Sequence, residues 1–131
     1  MVTPKASSTS KSLQEEVQGL INLCGQEKFE VVLSKVEPLI DLYPKAVVLF
    51  MLKGACNMSL EKYDASIESW MNAIKIKPDY AEAYNNMGVA QMRTGDLAAA
   101  IDSYERAVKI QSGYAEAYLN LGHALQKKRR A

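Results

Sequence analysis

The chain carries one imidazole, His123, and two thiols, Cys24 and Cys56, so any histidine-assisted nucleophile would have to converge on that single ring. No Gly-rich phosphate loop and no CxxC or Cys/His spacing accompanies them. Glu15 and Glu16 stand at the start of a helical pattern, where negative charge suits the helix dipole. Glu82 and Glu116 are copies of one position, 34 residues apart, which makes them a repeat property more than an acid/base pair. These residues predict no enzyme, no metal and no cofactor, and the two cysteines are expected as reduced thiols. The remaining chemistry is hydrogen bonding. Asn86 and Asn120 also lie 34 apart, and a carboxamide both donates and accepts, so such a pair can grip a peptide backbone without reading its side chains.

The step of 34 runs through the chain. Gly54, Gly88 and Gly122 keep it, as do Pro44 and Pro78, Tyr80 and Tyr114, Ala73 and Ala107, and the aromatic series Phe50, Tyr84 and Tyr118. YAEAYNNMGVA at 80–90 reads against YAEAYLNLGHA at 114–124 with eight of eleven letters identical. A fixed period of this size marks stacked units, each burying its apolar face against the next.

Each unit reads as two amphipathic helices. In 81–112 the set Tyr84, Met87, Ala90 and Gln91 is followed by the turn Thr94-Gly95-Asp96, then by Leu97, Ala100, Ile101, Tyr104, Ala107 and Val108 at three- and four-residue steps. Gly95 can take the left-handed backbone that ends the first helix, and Asp96 can cap the second. Pro78 ends the preceding helix. Small Gly88 and Ala100 let the paired helices approach, while Tyr84 and Tyr104 fill the space between. The first unit reads as Leu13, Val17, Leu20, Ile21, Cys24 and then Phe29, Val32, Leu33, Val36, Leu39, Ile40.

On these residues the chain resembles the tetratricopeptide-repeat family. With units beginning at Leu13, Val47, Ala81 and Ala115, the second supplies Phe50, Gly54, Ser66, Trp70, Ala73 and Pro78, with Lys53 where an aliphatic residue belongs. The third supplies Tyr84, Met87, Gly88, Ala100, Tyr104 and Ala107, with Ser112 in place of proline. The fourth supplies Tyr118, Leu121 and Gly122, and the divergent first suits a capping unit. The resemblance implies an all-α, right-handed superhelical solenoid of antiparallel helix pairs, about three and a half repeats in seven helices. The domain is expected over 12–128, as repeats 13–46, 47–80 and 81–114 with a capping helix at 115–128. A flexible tail at 1–11 and a basic end at 129–131 flank it.

The resemblance also implies a binding face. First helices in the family line a concave groove that holds an extended peptide or a partner helix. Carried over by position, the first unit contributes Val17 and Ile21, with Gln14, Gln18 and Cys24 beside them. The second contributes Val48, Met51, Leu52, Ala55 and Met58. The third contributes Glu82, Asn85, Asn86, Val89, Met92 and Arg93, and the fourth Leu119, Asn120 and His123, with Glu116, Gln126 and Lys127. Such a groove starts apolar, with an adaptable methionine-rich floor, and ends polar. The Asn86–Asn120 pair resembles the asparagine ladder of O-linked N-acetylglucosamine transferases, interrupted at Gln18 and Leu52. The lysine-asparagine clamp that holds acidic chaperone C-termini is not matched: Val17, Ile21, Leu52, Glu82 and Asn86 occupy its positions in one frame, and Met51, Ala55, Asn86, Glu116 and Asn120 in the other.

Composition fits a packed protein, with 48% apolar residues in 131, yet no apolar run approaches the ~20 residues of a membrane span. No secretory signal is seen in MVTPKASSTSKS, and a cytoplasmic protein is expected. Four of the 16 basic residues, Lys127, Lys128, Arg129 and Arg130, are terminal, so the remaining 12 face 15 acids and the body is mildly acidic. The basic run reads as a solvated helix end, and no nucleic-acid partner is expected. The favoured function is a non-catalytic scaffold or adaptor for a partner protein or peptide. The alternatives are an N-terminal repeat segment of a larger glycosyltransferase- or sulfotransferase-like enzyme that recruits substrate, and a self-associating scaffold whose last helix leaves Leu121 and Leu125 uncovered.

Overall fold

A computed structural model describes residues 11–130, and seven helices occupy nearly all of them. They are α1 (Leu13–Gly25), α2 (Phe29–Leu42), α3 (Val47–Ser59), α4 (Tyr63–Ile76), α5 (Ala81–Thr94), α6 (Leu97–Ile110) and α7 (Ala115–Arg130). Consecutive helices pair antiparallel and stack into a right-handed solenoid, with α1 also touching α3 and α5 touching α7. The expected N-terminal tail, except for Lys11, lies outside the described residues. The last helix runs on to Arg130, two residues past its expected end.

The helix ends repeat with the sequence. Ser12 and Glu15 close a capping box at the start of α1, with bonds of 3.0 and 3.1 Å. α1, α3 and α5 each end by the same bond between a backbone N–H and the carbonyl five residues earlier: Lys28 to Leu23, Lys62 to Asn57 and Asp96 to Gln91. This closure puts one residue per turn in the left-handed region. Gly95 takes it with φ 86°, as its sequence position predicts, and Asp96 accepts from the Ala99 amide at 3.2 Å to cap α6. The equivalent residues in the first two units are Glu27 and Glu61, at φ 59° and 60°. Both glutamates are exposed, and the backbone closure holds a side-chain-bearing residue where glycine would be unstrained.

Three clusters of buried residues follow one another along the stack. Leu20, Val32, Val36, Leu39, Leu49 and Cys56 form the first; Trp70, Ala73, Ala83, Met87 and Ala90 the second; Ala100, Ile101, Tyr104 and Ala124 the third. The small-against-large pairing sets the spacing inside each pair. A methyl group built on Gly54 would lie 2.6 Å from Trp70 Cε2, and one on Gly88 would lie 2.5 Å from Tyr104 Cε1. Only glycine fits under either ring. Trp70 Nε1, sealed against Gly54, has no hydrogen-bond partner among the described residues. Lys53, the departure from the repeat pattern, lies against the Glu37 carboxylate at 2.6 Å, so the helix pair exchanges an aliphatic contact for an ion pair.

Candidate partner-binding groove

The first helices α1, α3, α5 and α7 carry the residues expected to line the groove, and helical geometry sorts them by depth. Successive residues on a helix point about 100° apart, so neighbouring positions can differ sharply in depth. Asn85 and Asn86 show the consequence. Asn85 is fully buried, and this corrects its expected place among the contact residues. Its Nδ2 donates to Glu116 Oε2 at 3.2 Å, and its Oδ1 accepts from Asn120 Nδ2 at 3.0 Å. It is a bolt between α5 and α7. Asn86, one residue on, is half-buried, and among the described residues no other side chain bonds to it.

Asn120 therefore has a double position. It is half-buried, and one of its amide hydrogens is committed to Asn85. Its carbonyl and second N–H remain on the α7 side. Tyr114 joins this polar seam: burial, then the Glu116 and Glu82 carboxylates, push its phenol up, while a hydrogen bond with Asn85 acts the other way. The seam is a structural polar element that sequence reasoning missed, and its signal was the adjacency of two asparagines on one helix.

The apolar floor is half-buried. Val17, Val48 and Leu52 pack onto the first core cluster, Met51 and Met58 onto the second, and Val89 and Met92 onto the third. Each keeps some of its surface in solvent. Ile21 is 45% exposed and Leu119 60%, and Ala55, Glu82, Arg93 and His123 are exposed as well. Arg93 reaches Tyr63 Oη at 3.4 Å, which ties the end of α5 to the preceding unit. The arrangement offers apolar contact on α1 and α3 and amide hydrogen bonding on α5 and α7. Among the described residues, no group of three or more His, Cys, Asp or Glu side chains could hold a metal ion, and no helix is long and apolar enough to cross a membrane.

The two cysteines meet. Cys24 on α1 and Cys56 on α3 stand with Sγ atoms 3.5 Å apart, as free thiols. Cys24 is half-buried and Cys56 is sealed in the first core cluster.

Stacked helix pairs of this kind define a protein-interaction scaffold. The chain belongs to the tetratricopeptide-repeat family: residues 58–95 and 92–128 match the TPR repeat. Among curated proteins, small glutamine-rich tetratricopeptide repeat-containing protein 2 of Saccharomyces cerevisiae is 24% identical over 86 residues, which covers 66% of this chain and 25% of that protein. The chain thus spans about a quarter of that relative's length. Among solved structures, the first TPR of Spaghetti (RPAP3) bound to the HSP90 peptide SRMEEVD superposes with a TM-score of 0.82 at 20% identity, over 86% of this chain and 89% of that one. The Yersinia enterocolitica type III secretion translocator chaperone SycD, as an alternative dimer, gives 0.86 at 18%, over 91% and 96%. MamA gives 0.79 at 22%, over 86% and 68%. These similarities establish the fold.

Proposed function

We propose that this protein is a non-catalytic adaptor that holds an extended peptide or helix of a partner protein along the first-helix face. The observation that carries the reading is the band on α1 and α3, open among the described residues, where exposed Ile21 and Ala55 adjoin half-buried Met51, Leu52 and Met58 and continue toward Asn86. Methionine and aliphatic side chains there would take an apolar anchor, and Asn86 would hold the ligand's backbone. The solved relative bound to SRMEEVD supports a peptide ligand in general. An acidic ligand is not what this face selects, because Val17, Ile21, Leu52, Glu82 and Asn86 supply no lysine. The test compares the intact chain with an Ile21→Glu, Ala55→Glu, Asn86→Ala variant of equal helicity. A partner retained by the former and lost by the latter supports the face; equal retention removes it.

A second reading rests on α7. Gly122 repeats Gly54 and Gly88, but a methyl group built on it would meet nothing within 4 Å among the described residues, whereas theirs would strike Trp70 and Tyr104. The empty notch opens into a cleft of about 760 Å³ lined by Leu125, Gln126, Lys128 and Arg129. It would receive an aromatic-bearing helix with acidic flanks, and a second copy of the chain is the simplest source to check by light scattering.

A further inference from the structure

Cys24 and Cys56 are 32 residues apart, so they do not occupy the same position in successive repeats, yet α1 and α3 bring their sulfurs to 3.5 Å. Neither binding reading above uses them as a pair. The two sites differ in a way that suits ordered chemistry. Cys24 is half-buried on the rim of the first-helix face, and Cys56 is 1% exposed beneath it, among Leu20, Val36 and Leu49. Cys24 is the more open of the two to a reagent.

We propose that Cys24 and Cys56 form an oxidisable dithiol site, in which a peroxide converts the pair to a disulfide that staples the first repeat to the second. The Cys24 thiolate attacks a peroxide oxygen and becomes a sulfenic acid, releasing the alcohol or water of the reduced peroxide. Cys56 then attacks the sulfenic sulfur, its proton leaves with the departing hydroxide as water, and the S–S bond forms. Two thiols lose two electrons and two protons, and the peroxide accepts them. The order is set by the environment: burial, then the hydrogen bond to Cys24 and its charge, push the Cys56 thiol up to about 12, so Cys56 is a poor first nucleophile and acts as the resolving thiol. The sulfurs must close to bonding distance, a movement of about 1.5 Å for a bond near 2.05 Å. Among the described residues α1 packs against α2 and α3, more lightly than the later helices pack on their neighbours, so it is the helix best placed to make that shift.

The reaction is independent of what the groove binds, and so is its test. The intact chain is treated with hydrogen peroxide under non-reducing conditions, beside Cys24→Ala and Cys56→Ala variants, and read by intact mass, free-thiol titration and mapping of cross-linked fragments. The expected result is a monomer lighter by two hydrogen atoms, loss of both free thiols, a fragment joining Cys24 to Cys56, a higher melting temperature and full reversal by dithiothreitol. Cys56→Ala should instead stop at an oxidised Cys24, and Cys24→Ala should keep a free Cys56 that resists the reagent. Oxidation of Cys24 alone in the intact chain, cross-linking only between chains, or two thiols unreacted where peroxide oxidises free glutathione would each overturn the assignment.

Discussion

Asn120 donates to Asn85 across 3.0 Å, so two asparagines 35 residues apart, one more than the repeat length, join α7 to α5. The offset matters because it draws an expected contact residue into the stack. Asn85 exchanges hydrogen bonds with both Glu116 and Asn120 of α7 at a site without solvent, and its removal strands both partners. Asn85→Ala should therefore destabilise the fold by about 2 kcal/mol in urea titration. Asn86→Ala, on the more open side of the same helix, should stay within about 0.5 kcal/mol of the parent. Equal effects at the two positions would show that the polar seam does not hold the stack.

Three glycines of one repeat position should respond with opposite signs. Gly54→Ala and Gly88→Ala force a methyl group into Trp70 and Tyr104, and overpacking of about 1–3 kcal/mol outweighs the gain in helix propensity. Gly122→Ala meets nothing and should stabilise the isolated chain by up to about 1 kcal/mol. If the notch docks an aromatic-bearing helix, the same change should weaken that association. Thermal unfolding of the three variants, with molar mass by light scattering, reads both effects.

The turn positions give a quieter prediction. Glu27 and Glu61 hold left-handed backbone at φ 59° and 60°, where their repeat counterpart is Gly95. Release of that strain is worth about 1 kcal/mol, partly offset by the greater freedom of glycine in the unfolded chain. Glu27→Gly and Glu61→Gly should each be neutral to stabilising by a few tenths of a kcal/mol, while Gly95→Ala should be destabilising. Denaturant midpoints at constant slope decide it.

Alkaline pH should loosen the stack in a defined window. Burial, followed by the nearby Glu116 carboxylate, pushes the Tyr104 phenol from 10.0 up to about 12. Its folded state holds the proton that the unfolded state has lost between those values, so the contribution is complete below pH 10 and disappears as pH rises through about 12. Cys56 acts in the same direction from 9.0 upward. Stability should fall across this window by about 2–3 kcal/mol on account of Tyr104, and Tyr104→Phe should remove that part of the slope.

The period of 34 was enough to read the helix pairs, the tight Gly-aromatic contacts and the Gly95 turn, because each depends on residues at matched positions. What stayed hidden depends on staggered ones. Asn85 and Asn120 differ by 35 and Cys24 and Cys56 by 32, and a comparison of equivalent positions cannot show which sides of adjacent helices meet. The left-handed Glu27 and Glu61 were invisible for the opposite reason: the conformation was repeated while the residue type was not. Lys53 read as a flaw in the pattern until Glu37, on the neighbouring helix, supplied its partner.

The account turns on which face of the solenoid binds, and amide hydrogen exchange answers that most directly. A peptide selected on the intact chain from a random library would be added, and protection mapped helix by helix. Slower exchange concentrated on α1, α3 and α5, and lost with Ile21→Glu and Ala55→Glu, is the expected result. Protection confined to α2, α4 and α6, or unchanged by those substitutions, would contradict the first-helix groove.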